Sequence, residues 1–168
     1  MAEHTHKDKH DAHRKLIDRL RQQADDVRRL TAELEESLAA KRIAPEKWSV
    51  KELVCHLDRM QDVFAGRIEA MIREDNPAVQ PYNPDHDADF EKLVAQPAAD
   101  TVARFLGNRE HFIARLAELS PAEWHRPGAH PDFPRYDVHF QVEYMTHHEA
   151  HHVYQMFQRR IPLGKIPH

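Results

Sequence analysis

The chain has 168 residues, 40% of them apolar and 31% charged, with 24 Lys and Arg against 28 Asp and Glu, a formal charge of −4 and only 4 glycines. That length suits one domain with a real core, while the cations are dispersed and not in excess, which leaves no electrostatic footprint for nucleic acid or an anionic membrane. The lone Cys55 excludes an internal disulfide framework, and no apolar run approaches the ~18 residues of a membrane span.

Lys, Arg, Glu, Ala and Leu dominate long runs of the chain, so an all-α protein is expected. The start, MAEHTHKDKHDAH, is charged and lacks the apolar middle of a signal peptide, so cytoplasm is the expected compartment. Residues 1–9 read as a polar, frayed tail in which His4 and His6 are solvated, and residues 10–168 as the domain. From about His10 to Ala40, apolar residues from Leu16 and Ile17 to Leu34 and Leu38 recur at three- and four-residue steps, the pattern of a long amphipathic helix. Pro45 interrupts it. Ser49 followed by Glu52 has the spacing of a capping box and opens a second helix through Leu53, Leu57, Met60, Phe64 and Ile68 to about Glu74.

Residues 76–97 contain Pro77, Pro81, Pro84 and Pro97, too many breakers for helix and too many residues for a simple hairpin connection. A third helix is expected from Ala98 to about Leu119, with Phe105, Phe112 and Leu116 inward. Residues 120–136 are again broken by proline and glycine, and Asp137 can cap a fourth helix to about Arg160. Four such helices make a four-helix bundle.

The fourth helix carries HHEAHHVYQ at 147–155, with two overlapping HxxxH pairs. Imidazoles at i and i+4 lie one above the other and can grip one metal ion. At ~100° per residue, His148 and His152 border the stripe of Val142, Met145 and Met156, whereas His147 and His151 point away. Gln155 lies one turn further on the same face and Glu149 also points inward, where an isolated carboxylate would be costly; both are candidates to hydrogen-bond a metal ligand or bound water. His56, among Leu53, Met60 and Phe64 on helix two, is the expected third ligand.

Depth tests this set. His56 lies roughly 10 Å from the start of helix two and His152 roughly 12 Å from the end of helix four. They match in depth if those helices are antiparallel, which a long crossover between helices two and three within 76–97 provides, whereas a plain up-down bundle would offset them by at least a helical turn. Three imidazoles then leave coordination positions open, as catalytic sites do and structural sites do not. Nitrogen ligands suit a divalent transition metal such as Zn, Ni or Fe.

WSVKELVCHL on helix two and HEAHHVYQ on helix four together resemble the DinB-like metalloenzyme superfamily, over roughly residues 14–160. The resemblance implies a four-helix bundle of unusual connectivity with His56, His148 and His152 as ligands of a divalent metal. Relatives often read HEAHHRGQ, so Gln155 falls on their glutamine; Gln61 stands where many carry an acid. Arg67 falls near an arginine of several relatives and is a candidate for binding an anionic substrate. The resemblance further implies metal-dependent hydrolysis, or transfer using a low-molecular-weight thiol, on a small molecule, and a homodimer. The rival expectation is a non-catalytic bundle in which the ion staples helices two and four or reports metal to a partner. Cys55 points ~100° away from His56 and reads as a buried inert thiol. His86 and His130 read as polar loop residues, and Trp48 and Trp124 as packing at the bundle ends.

Overall fold

The computed structural model describes residues 2–168, with side chains from residue 11 onward. The expected polar tail at 1–9, with His4 and His6, therefore has its side chains outside the described residues. Four long helices form the molecule: α1 (Ala2–Thr31), α3 (Val50–Arg73), α5 (Ala98–Glu118) and α6 (Val138–Arg160), with short α2 (Glu36–Ala39) and α4 (Ala88–Val94) in the connections. No strand occurs among the described residues.

Two helix starts follow their sequence signals. Ser49 Oγ accepts from the Glu52 amide at 3.1 Å and Glu52 Oε2 accepts from the Ser49 amide at 2.9 Å, a complete capping box. Asp137 Oδ1 accepts from the Phe140 amide at 2.8 Å. At α5, whose N-cap is Pro97, the carboxylate comes from elsewhere: Glu36 Oε2 accepts from the Ala98 amide at 2.7 Å.

The first helix ends nine residues before the expected Ala40. Glu33 takes a left-handed φ of 56°, and the Thr31 hydroxyl donates back to the Val27 carbonyl at 2.8 Å. Leu34 and Leu38 continue helical spacing across the break because α2 packs its own face inward, so the apolar pattern hides the interruption.

Each of α1 and α3 packs against both α5 and α6. Positions on α3 and α5 advance together: Gln61 Nε2 donates to the Phe105 carbonyl at 3.2 Å and Arg115 Nε to Glu69 Oε1 at 2.7 Å. Those helices are parallel. By contrast Arg159 Nε, near the end of α6, donates to the Trp48 carbonyl before α3, while Phe64 meets Tyr144 further along. α3 and α6 are antiparallel, and the crossover from Glu74 to Pro97 runs the length of the bundle as expected. It is fastened midway, where Asp87 Oδ2 accepts from Arg59 Nε at 2.8 Å and from the Tyr82 hydroxyl at 2.7 Å.

Its first part is also tied to the loop before α6: the Val79 amide donates to the Ala129 carbonyl at 2.8 Å and the Ala129 amide to the Pro77 carbonyl at 2.9 Å. Gly128 lies at this seam, where a Cβ would sit 2.9 Å from Met71 Sδ, so only glycine fits without displacement. The core has two apolar clusters, one around Leu20, Phe64, Ile68, Leu116 and Met145, the other around Val27, Leu53, Phe105 and Met156. Between them along the helices lies a buried polar layer containing His56, Gln61, Arg109 and Glu149.

Candidate metal centre

His56 comes from the second turn of α3 and His148 and His152 from successive turns of α6. Their Nε2 atoms converge: His56 to His148 at 3.3 Å and His148 to His152 at 3.2 Å. Two nitrogens bound to one ion at about 2.0–2.1 Å with tetrahedral angles are about 3.3–3.4 Å apart, so the spacing fits a shared metal. The three offer ligand atoms within 4.8 Å of one another. His147 and His151 are exposed on the opposite side of α6.

Burial keeps these rings neutral. It is the largest influence in pushing His56 down to about 3, followed by its neighbours His152 and His148. His148 falls to about 4, again chiefly by burial, then by His152 and His151. His152 is lowered by burial, against an opposing hydrogen bond from Gln155. A neutral imidazole is the form that ligates a metal. His152 Nδ1 lies 2.8 Å from Gln155 Oε1, which places the proton on Nδ1 and frees Nε2. His56 Nδ1 is buried without a hydrogen-bond partner among the described residues, and its ring packs at 5.0 Å from Trp48.

Trp48 also lies 6.4 Å from the His152 ring, so it borders the histidines as well as closing the bundle end. Phe64 sets its ring at right angles to His148, at 5.6 Å. A cavity of about 320 Å³ reaches the centre through His56 and His148, with Phe64, Arg67, Tyr82 and Tyr136 in its wall. His130 lines it too, so this residue of the second loop faces the cavity, whereas the exposed His86 is not in its lining.

Arg67 donates to the Gln80 carbonyl at 2.8 Å and lies over the Phe64 ring, with its guanidinium carbon 5.8 Å from the centroid. Glu149 is buried as expected, but both its oxygens accept from Arg109, Oε1 from Nη1 at 2.8 Å and Oε2 from Nη2. Arg109 also donates to Gln61 Oε1 and to the Leu20 carbonyl. Cys55 is fully buried and burial raises its thiol to about 11, the state of an inert side chain.

Arg109 escaped the sequence reading, although a signal was there: it occupies the inner stripe of Phe105, Phe112 and Leu116 at i+4 from Phe105. Gln141 carried the same signal, at i+3 from Val138 and i−4 from Met145, whereas Tyr136, also in the cavity lining, had none, because its place depends on how the second loop folds back.

No helix among the described residues is long and apolar enough to cross a membrane. Comparison with curated proteins finds no match. Among solved structures, the chain is similar to YfiT from Bacillus subtilis, described as a probable metal-dependent hydrolase with an unusual four-helix bundle topology. The TM-score is 0.78 at 18% identity, over 90% of this chain and 87% of that one. The DinB superfamily matches residues 19–156, most of the sequence and all three histidines. The chain belongs to the DinB superfamily.

Proposed function

We propose that this protein is a divalent-metal-dependent enzyme that activates water or a low-molecular-weight thiol, for hydrolysis or thiol S-transfer on a small molecule. The observation that carries it is a cavity of about 320 Å³ opening onto two of three converging imidazoles. A structural staple needs no such opening, since its coordination is closed by protein. His56, His148 and His152 would hold the ion, with Zn, Ni and Fe suited to the nitrogen set. When bound, it supplies Lewis acidity that lowers the pKa of water or a thiol and polarises a substrate oxygen.

The chain's own residues do the rest. Gln155 fixes the ring of His152, while Trp48 and Phe64 limit water around the histidines. Arg67, in the cavity wall, is the proposed contact for an anionic substrate group. The structural likeness to a protein described as a probable metal-dependent hydrolase supports the hydrolytic reading. The proposed assembly is a homodimer.

The test is elemental analysis of tag-free protein together with assays of ester, amide and thiol-transfer probes. About one metal per chain is expected, with its loss and the loss of activity in His148→Ala. Unchanged metal content in that variant would overturn the assignment.

A further inference from the structure

Gln141 is 1% exposed in the first turns of α6 and lines the cavity. Its Oε1 accepts from the Tyr136 hydroxyl. The Arg67 guanidinium acts on that hydroxyl as a nearby positive charge, which favours the tyrosine oxygen facing the cation and its proton going to Gln141. That fixes the amide: Oε1 is used, and Nε2 is a donor closed off from solvent with no partner among the described residues. A buried amide donor left unmet is costly, and a small turn of the amide toward the cavity, where a ligand oxygen meets it, recovers the cost.

A second donor belongs to the same wall. His130 Nδ1 accepts from the Asp132 amide at 3.1 Å, so in the neutral ring the proton resides on Nε2. Phe133 and Tyr136 flank that ring at 4.6 and 5.1 Å and hold its orientation. Arg67 spends one bond on the Gln80 carbonyl and has further N–H groups to offer. The single acidic residue of the lining, Asp132, is exposed, and its amide is already used by His130.

Gln141 precedes His148 by seven residues on one helix, a rise of ~10 Å. The donors therefore cluster at one end of the cavity and the imidazoles at the other, with aromatic walls between. We infer that the donor end is a carboxylate subsite built by Gln141, His130 and Arg67, and that the substrate has an apolar or aromatic body carrying its reacting bond ~10 Å from that carboxylate. This rests on the cavity being the substrate site of the proposed enzyme.

Calorimetric titration with 4-(4-acetamidophenyl)butanoate, whose amide bond lies ~9–10 Å from its carboxylate when extended, and with 4′-propylacetanilide as the same body without the acid, tests it. Wild type should bind the acid about tenfold more tightly or better. His130→Phe should erase most of that preference without moving the unfolding temperature, and Gln141→Leu should erase it with some loss of unfolding temperature, because the Tyr136 hydroxyl loses its acceptor. Should Gln141→Leu fail to fold, His130→Phe, in the loop, carries the test. Equal binding of the two probes by wild type overturns the subsite, as does a preference that survives His130→Phe.

Titrations are run with zinc bound and after chelation. A preference kept in zinc-free protein and lost on substitution supports the subsite, whether or not the metal reading holds. A preference that needs zinc and survives both substitutions belongs to the ion and overturns the proposal. Failure of the protein to bind zinc sinks the metal reading, while the zinc-free titration still reads the subsite.

Discussion

Gln155 Oε1 lies 2.8 Å from His152 Nδ1, and this contact selects which nitrogen of the ring faces His148. Without it the imidazole can change tautomer and rotate, and ligand order is lost before any ion arrives. Gln155→Leu is expected to weaken metal affinity by about 10–100-fold with little change in fold, and Gln155→Glu to retain it. Competition against a chromogenic chelator measures both. A leucine variant that holds metal as tightly as wild type would show that packing alone orients His152.

The two apolar clusters are each built from several helices and neither depends on the histidines. The metal-free protein is therefore expected to stay folded, with zinc raising its melting temperature. At a free metal concentration 100 times the Kd the gain is about 2.7 kcal/mol. Circular dichroism during heating, with and without chelator, checks this. Collapse of the chelated protein at room temperature would favour the structural staple.

Acid should destabilise the metal-free form from near neutrality. Burial, more than their neighbours, holds His56 at about 3 and His148 at about 4, against 6.5 as the ordinary value. Between pH 6.5 and about 4 the unfolded chain takes up protons that the folded chain refuses, so stability is full above 6.5 and lost as pH falls. The slope is at most about 1.4 kcal/mol per pH unit for each ring. Urea unfolding in chelator at pH 7.5, 6.5 and 5.5 should show the decline, and His56→Gln with His148→Gln should flatten it.

Local chemistry explains what could be read in advance. Ser49 with Glu52, and Asp137, announce their helices because a cap acts within three residues. The antiparallel meeting of α3 and α6 was also legible, since helical rise converts residue number into depth and a crossover brings His56 and His152 to matching depth. The break after Thr31 was not, because Glu33 adopts its left-handed backbone with no glycine or proline to mark it. The donor wall was hidden for another reason. His130, Tyr136 and Gln141 meet only after residues 120–136 are tied to the crossover by bonds such as Ala129 to Pro77, which are backbone contacts without a side-chain signature.

Glu149 lies inward, and its carboxylate is met by a cation from another helix. It is adjacent in sequence to His148, yet its carboxylate is wholly engaged by Arg109 from α5, and Arg109 in turn holds Gln61 on α3 and the Leu20 carbonyl on α1. One guanidinium thus joins all four long helices at the level of the polar layer. Removing one member of a buried pair leaves the other charged and unmet, so Glu149→Leu is expected to cost about 3–5 kcal/mol in urea unfolding. Exchanging both, as Arg109→Met with Glu149→Leu, removes the stranded charge and should recover much of that loss. Metal affinity of the double variant separates the two roles: if Glu149 serves only to fasten the helices, zinc binds the double variant nearly as it binds wild type. A large loss of affinity in a well-folded double variant would mean that the pair also orients His148.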